Sequence, residues 1–274
     1  MSVAGNTTLR RHLLETRHGV MHVRLSTPLG ASVESVPLVL LHLSPLSGRV
    51  FDAITPLLAG DRQVVVPDRL GFGDSDRLSE PMAFEEYVLA TRDALDALEV
   101  ESFDVVGIHT GSCEAIELAV ANPDRVRRAA VVALPVFTNE QLDAYRREFF
   151  EPPKPSVDAA HLDWVWQWWT VWQEKQPGWD LDLMHQRVVD HMDSWPDFWW
   201  TYRAVLDYPT ADRLRSVRQP LLVLAPHDDL WPQTQRGRQF LPPQAEFLEL
   251  PHLSLEVFTL AAEEIARHLK EFLA

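Results

Sequence analysis

Apolar runs too continuous for a half-exposed strand alternate with stretches of helical spacing along most of the chain. Val36–His42 (VPLVLLH) is apolar almost throughout, the mark of a strand buried on both faces, and Pro37 stands at its start, where a missing donor is tolerated. Gln63–Val66, Phe103–Val106, Val126–Ala133, Leu221–Ala225 and Glu246–Leu250 read the same way. Arg11–Thr16 and Val20–Ser26 predict a hairpin with Gly19 near its turn. Between these runs the spacing predicts helices over Gly48–Ala59, ended by Gly60, over Phe84–Leu98, over Ser112–Ala121, near Gln233–Phe240 and over Leu255–Phe272. Strands alternating with helices imply a parallel sheet joined by right-handed crossovers. The alternation stops between Val136 and about Pro220. There proline, aromatic and polar residues surround helical pieces at Leu162–Gln173 and Leu181–Met192, which predicts a helical insertion after the sixth main strand.

The 274 residues fit one large domain or a core with an inserted subdomain, and 46% apolar against 24% charged residues allow a sizeable core. The formal net charge of -15 argues against a nucleic-acid partner, which needs a positive field to displace counterions. Cys113 is the single cysteine, so no internal disulfide forms and a reducing compartment is expected. The stretch from Met1 to Arg11 lacks the apolar core of a secretory signal, and no run approaches the ~20 apolar residues of a membrane helix. A cytoplasmic protein without membrane association is the expectation. No internal repeat is visible, and oligomeric state is not legible.

Gly107-Ile108-His109-Thr110-Gly111 lies between a strand and a helix. It resembles the nucleophile elbow, G-x-S-x-G, of the α/β-hydrolase family, with histidine in the nucleophile's place. Other family signatures follow in register. His42-Leu43-Ser44-Pro45 is similar to the H-G-x-P oxyanion loop, with Leu43 in place of glycine. Asp68-Arg69-Leu70-Gly71-Phe72-Gly73-Asp74-Ser75-Asp76 resembles the D-x-x-G-x-G-x-S-D turn. Pro226-His227-Asp228-Asp229 is similar to the G-x-x-D acid turn, with Pro226 in place of glycine. His252 follows the last strand, where the family carries its catalytic histidine.

The resemblance implies an α/β fold: a mostly parallel eight-stranded sheet with a helical cap inserted at 137–212 into a core of 1–136 and 213–274. It implies a catalytic constellation of His109, Asp229 and His252, with backbone N–H groups of Ser44 and Thr110 as the oxyanion hole. Asp228, adjacent to Asp229, is the competing acid. His42 is expected against the substrate or as a brace of the oxyanion loop. Ser112, past the bend, is a weak candidate for a displaced nucleophile, and Cys113 is expected to pack.

Imidazole, with an ordinary pKa of ~6.5, is largely neutral near pH 7 and needs no base to attack a carbonyl. Three mechanisms fit: an acyl-imidazole on His109 cleared by water, direct water attack driven by the histidines, and proton transfer in a lyase or isomerase. All are cofactor-free and metal-free. A metal held by His109, His252 and Asp229 lacks a closely spaced ligand motif.

Of ten tryptophans, all but Trp231 fall between Trp164 and Trp200. Trp164, Trp168 and Trp172 recur every fourth residue on one helix face, and most of the rings must glue the insertion together. Trp164, Trp168, Trp199 and Trp231 are the candidates for lining a substrate pocket, with Phe149 and Phe150 at its rim. The expected function is hydrolysis of a small apolar or aromatic carbonyl substrate: an ester, a lactone or a carbon–carbon bond beside a carbonyl. The alternatives are a cofactor-independent lyase or isomerase, or a silent receptor for a small ligand.

Overall fold

The computed structural model describes residues 7–29, 35–148, 153–176 and 178–274. The chain opens with an antiparallel hairpin, β1 (Thr7–Thr16) and β2 (Gly19–Pro28), followed by β3 (Leu38–Leu41). A 3-10 turn at Gly48–Phe51 and the short α1 (Thr55–Leu58) lead to β4 (Val64–Pro67). Then come α2 (Phe84–Ala97), β5 (Phe103–Ile108), α3 (Thr110–Ala121) and β6 (Val126–Val132). Helices α4 (Asn139–Glu148), α5 (Ala160–Lys175), α6 (Leu181–Asp193), α7 (Phe198–Asp207) and α8 (Thr210–Arg215) separate β6 from β7 (Leu221–Pro226). Finally α9 (Trp231–Gly237), a 3-10 turn, β8 (Ala245–Leu250), α10 (Val257–Leu260) and α11 (Ala262–Leu273) close the chain.

The eight strands form one sheet in the order β1-β2-β4-β3-β5-β6-β7-β8. β1 and β2, and β2 and β4, pair antiparallel; the remaining pairs are parallel. The apolar runs are buried on both faces. Val39, Val65, Val105, Val131 and Val223 pack into one core with α2 and α3. Leu40, Val66, Val106, Val132 and Leu224 pack into the other with α1 and α11. This two-sided burial is why those runs show no polar alternation.

Two predicted helices are broken. Over 48–59 the ladder is interrupted because Pro56 has no N–H to donate to Asp52. The last helix divides at Ala261, whose backbone leaves the helical region (φ −126, ψ 29). The strand order turns back at β3, with β4 on one side and β5 on the other, and because β3 to β8 run parallel the carboxyl ends of β3, β5, β7 and β8 share one rim. That rim is where open parallel sheets form their clefts.

Candidate active site

His109 joins β5 to α3 with φ 51 and ψ −111, a positive φ that costs any residue with a Cβ. The two glycines make the bend sterically feasible. A Cβ on Gly107 would lie 1.9 Å from the Gly111 carbonyl oxygen, and one on Gly111 would lie 2.0 Å from that of Leu41. The bend is tied down by the His109 N–H on Val132 O (3.0 Å) and by the Ser112 N–H on His109 O (2.9 Å). Ser112 Oγ donates towards Gly107 O (3.0 Å) and Val132 O (2.9 Å) from a fully buried position, so it braces the turn and is no displaced nucleophile.

His109 Nε2 lies 2.8 Å from Asp228 Oδ2 and 3.9 Å from Asp229 Oδ1. A carboxylate only accepts, so Nε2 carries the proton and Nδ1 the lone pair. The Asp228 side chain is wholly buried, and its other oxygen accepts the Leu230 N–H at 3.0 Å, which fixes its orientation. Asp229, expected from its spacing to the strand, has a side chain 49% exposed. Burial alone would lower the His109 pKa; the Asp228 carboxylate, by charge and hydrogen bond, and the Asp229 charge together raise it. Desolvation and the Asp228 charge raise Asp229 in turn, against the opposing pull of His109.

The structure does not bring His252 to this pair. His252 is exposed, and its Nε2 sits 3.0 Å from Oε1 and 3.1 Å from Oε2 of Glu264 on α11. The loop after β8 is drawn into a turn by Leu253 N–H on Leu250 O (3.0 Å) and His227 N–H on Leu253 O (2.9 Å). That turn half-buries Leu253 and leaves His252 on the surface. Of the expected His109–Asp229–His252 constellation, the structure thus brings together His109 and Asp229, with Asp228 nearer to the imidazole, and leaves His252 apart.

His42 is buried with both ring nitrogens engaged: Nδ1–H donates to Leu43 O (2.8 Å) and Nε2 accepts the Arg69 N–H (2.9 Å). Burial, helped by the Arg69 charge, holds its pKa down at about 3. Neutral and engaged at both ring nitrogens, it ties the Leu43 carbonyl to the Arg69 N–H. Arg69 itself pairs with the buried Glu114 (2.8 Å) and donates to His42 O (2.9 Å), tying the loop after β3 to α3. Ser44 on that loop is held through three groups. Its N–H donates to Thr110 Oγ1 (3.4 Å), its carbonyl accepts the Tyr202 hydroxyl (2.7 Å) and its Oγ accepts Arg69 Nη1 (3.2 Å). The Thr110 N–H is one of the donors a helix's own ladder leaves without a partner.

The aromatic candidates are engaged elsewhere. Trp164 and Trp168, both half-buried, lie 4.9 Å apart and pack around His191 and Phe198. Trp199 carries the Arg203 guanidinium over its ring at 5.0 Å. Trp231 lies on His227 with centroids 3.8 Å apart. The four rings thus serve packing, and the expectation that they line a pocket gains no support from these contacts. Phe149, Phe150 and the side chain of Trp172 lie outside the described residues.

Sequence reasoning also missed the links from the insertion to the core. Asp190 accepts from Ser47 N–H (2.8 Å), Ser47 Oγ (2.7 Å) and Arg49 Nη1 (3.0 Å). Arg187 grips Glu256 at 2.6 and 2.7 Å. No motif announces such long-range pairs. Asp228 alone had a signal, as the acid next to Asp229 in the turn.

The ligand atoms of His109, Asp228 and Asp229 lie within 4.8 Å of one another, a spacing a metal ion can bridge; His22, Asp68 and Asp74 form a second such group. Among the described residues no helix is long and apolar enough to cross a membrane.

The 2-hydroxymuconate semialdehyde hydrolase of Pseudomonas sp. (strain CF600) is 36% identical over 129 residues, covering 44% of this chain and 45% of that protein. The match thus spans less than half the length of that relative. The 2-hydroxy-6-oxo-2,4-heptadienoate hydrolase of Pseudomonas putida is 30% identical over 106 residues, 38% of each chain. Among solved structures, the enol-lactonase from Burkholderia xenovorans LB400 superposes with a TM-score of 0.75 at 19% identity, over 96% of this chain and 99% of that one. At that identity the likeness shows the fold. The profile described as alpha/beta hydrolase fold matches residues 36–183, more than half of the sequence, and with the sheet order and the elbow it shows that the chain belongs to the alpha/beta hydrolase fold family.

Proposed function

We propose that the protein is a hydrolase of a small apolar or aromatic carbonyl substrate, in which His109 and Asp228 work as a base pair on water. The observation that carries this reading is the 2.8 Å contact between His109 Nε2 and the buried Asp228, at a glycine-framed bend similar to the family's nucleophile elbow. Asp228 fixes the tautomer, so the Nδ1 lone pair is the base. As Nδ1 removes a proton from water, the water oxygen bonds to the carbonyl carbon and the carbonyl electrons move onto oxygen. The Thr110 N–H then meets the oxyanion. When the tetrahedral species collapses, the imidazolium returns the proton to the departing oxygen or carbon, and Asp228 stabilises the cation in between. A covalent acyl-imidazole has less support, because among the described residues no second imidazole pairs with His109 to activate the water that would clear it.

Two relatives named as hydrolases of 2-hydroxymuconate semialdehyde and 2-hydroxy-6-oxo-2,4-heptadienoate, and a structural neighbour named as an enol-lactonase, support carbonyl substrates of this kind. The proposal includes a cap at 137–212. Its α6 and α7 flank Ser194 and carry Tyr202, whose hydroxyls donate to Pro45 O (2.9 Å) and Ser44 O on the oxyanion loop.

The test is a panel of p-nitrophenyl esters, lactones and dienol-ketone acids, assayed with wild type, His109→Ala and His109→Ser. Turnover by wild type and its loss in His109→Ala are expected. His109→Ser is expected to stay inactive, because His252 is turned to Glu264 and leaves the serine without a base. Wild-type ligand binding without turnover of any substrate would replace the hydrolase with a receptor.

A further inference from the structure

Thr110 carries two donors, its N–H and its hydroxyl, at the head of α3 directly beside His109, and is 4% exposed. Its N–H is a free helix-end donor. Its hydroxyl oxygen accepts the Ser44 N–H at 3.4 Å, and an oxygen that accepts keeps its own proton to donate. The Ser44 N–H, expected to serve the oxyanion directly, is thus aimed at a side chain. Ser44 is held in that attitude by Tyr202 on its carbonyl and Arg69 on its hydroxyl.

We propose that the Thr110 hydroxyl is a catalytic donor of the oxyanion hole, polarised by Ser44, with Tyr202 as the positioning residue that keeps Ser44 in place. This rests on the hydrolytic reading above and adds a side-chain donor to it. During water attack the carbonyl π electrons move onto oxygen. That oxygen takes hydrogen bonds from the Thr110 N–H and O–H, and both of these protons stay on Thr110 while His109 takes the proton of the water. Donation from Ser44 into the hydroxyl strengthens the outgoing bond, as hydrogen bonds in a chain polarise one another. The insertion thereby reaches the chemistry through one hydroxyl of α7.

The experiment uses the full chain with p-nitrophenyl acetate, p-nitrophenyl butyrate and dihydrocoumarin as probes. Thr110→Val, which removes the hydroxyl and keeps the shape, is expected to lower kcat about 100–1000-fold with KM within about twofold. Thr110→Ser is expected to restore kcat to within about threefold of wild type. Tyr202→Phe is expected to lower kcat in the wild-type background and to add nothing in the Thr110→Val background. Should Thr110→Val fail to fold, Thr110→Ala against Thr110→Ser makes the same comparison. Wild-type kcat in Thr110→Val, or equal impairment in the serine and valine variants, overturns the proposal. With His109→Ala inactive, such a result leaves the hydrolytic reading standing. Absence of wild-type turnover on every probe, or full activity in His109→Ala, overturns both.

Discussion

Asp228→Asn is the sharpest perturbation of the site. The asparagine oxygen still accepts the Leu230 N–H, so the turn after β7 is kept. Its amide nitrogen then faces His109 Nε2 and donates, which moves the imidazole proton to Nδ1 and takes the lone pair away from the reacting side. A hydrogen bond to a charged group is worth about 1.5–3 kcal/mol, and at about 1.4 kcal/mol per tenfold its loss alone lowers kcat/KM roughly 10–100-fold. The wrong tautomer deepens this towards about 10⁴-fold, the size seen when the acid behind a catalytic histidine becomes an amide.

The pH profile moves as well. Asp228 helps to raise the His109 pKa, so the acid limb of kcat/KM in the wild type lies above the ordinary imidazole value of ~6.5. In the variant burial is less opposed and the limb shifts to lower pH. Stability follows with a defined sign. The folded chain holds the His109 proton more tightly than the unfolded chain, so this stabilisation is full below about pH 6.5 and fades as pH rises through the folded-state value. The loss of Tm on Asp228→Asn is therefore larger at pH 6 than at pH 9. The assay is kcat/KM from pH 5 to 10 on the best ester or lactone, with circular-dichroism melting at both ends. The reasoning is refuted if Asp228→Asn stays within about threefold of wild type with an unmoved limb. It is refuted equally if Asp229→Asn, a half-exposed group expected to cost less than about tenfold, proves the more damaging change.

His252→Ala is expected to leave kcat/KM within about twofold and stability within about 1 kcal/mol, since its pair with Glu264 is a surface one; a loss above 100-fold would restore it to the catalytic set. Gly111→Ala is expected to give no soluble folded protein, because its Cβ would lie 2.0 Å from the Leu41 carbonyl oxygen; native-like circular dichroism would contradict that. Cys113, fully buried with its thiol pushed up to about 12 by burial, is expected to resist a disulfide reagent at pH 8 until the chain is unfolded in urea, and rapid native labelling would contradict its placement.

The apolar runs determined the fold on their own. A stretch such as Leu38–Leu41 or Leu221–Pro226 has nowhere to go but the middle of a covered sheet, and the glycines around His109 fit a single tight strand-to-helix bend. The chain order of elbow, acid turn and last loop was equally legible, and it placed the imidazole correctly at the end of β5. Which acid meets that imidazole was not legible. Asp228 and Asp229 are neighbours of the same chemistry, and the choice depends on the Leu230 N–H that turns one carboxylate inward. Nor did the position of His252 in the chain reveal its direction, because a turn closed by Leu250, Leu253 and His227 set it against Glu264. Periodicity records which face of an element is buried. Hydrogen bonds between residues far apart in the chain, such as Tyr202 on Ser44 or Asp190 on Ser47, leave no period, so only the folded molecule decides them.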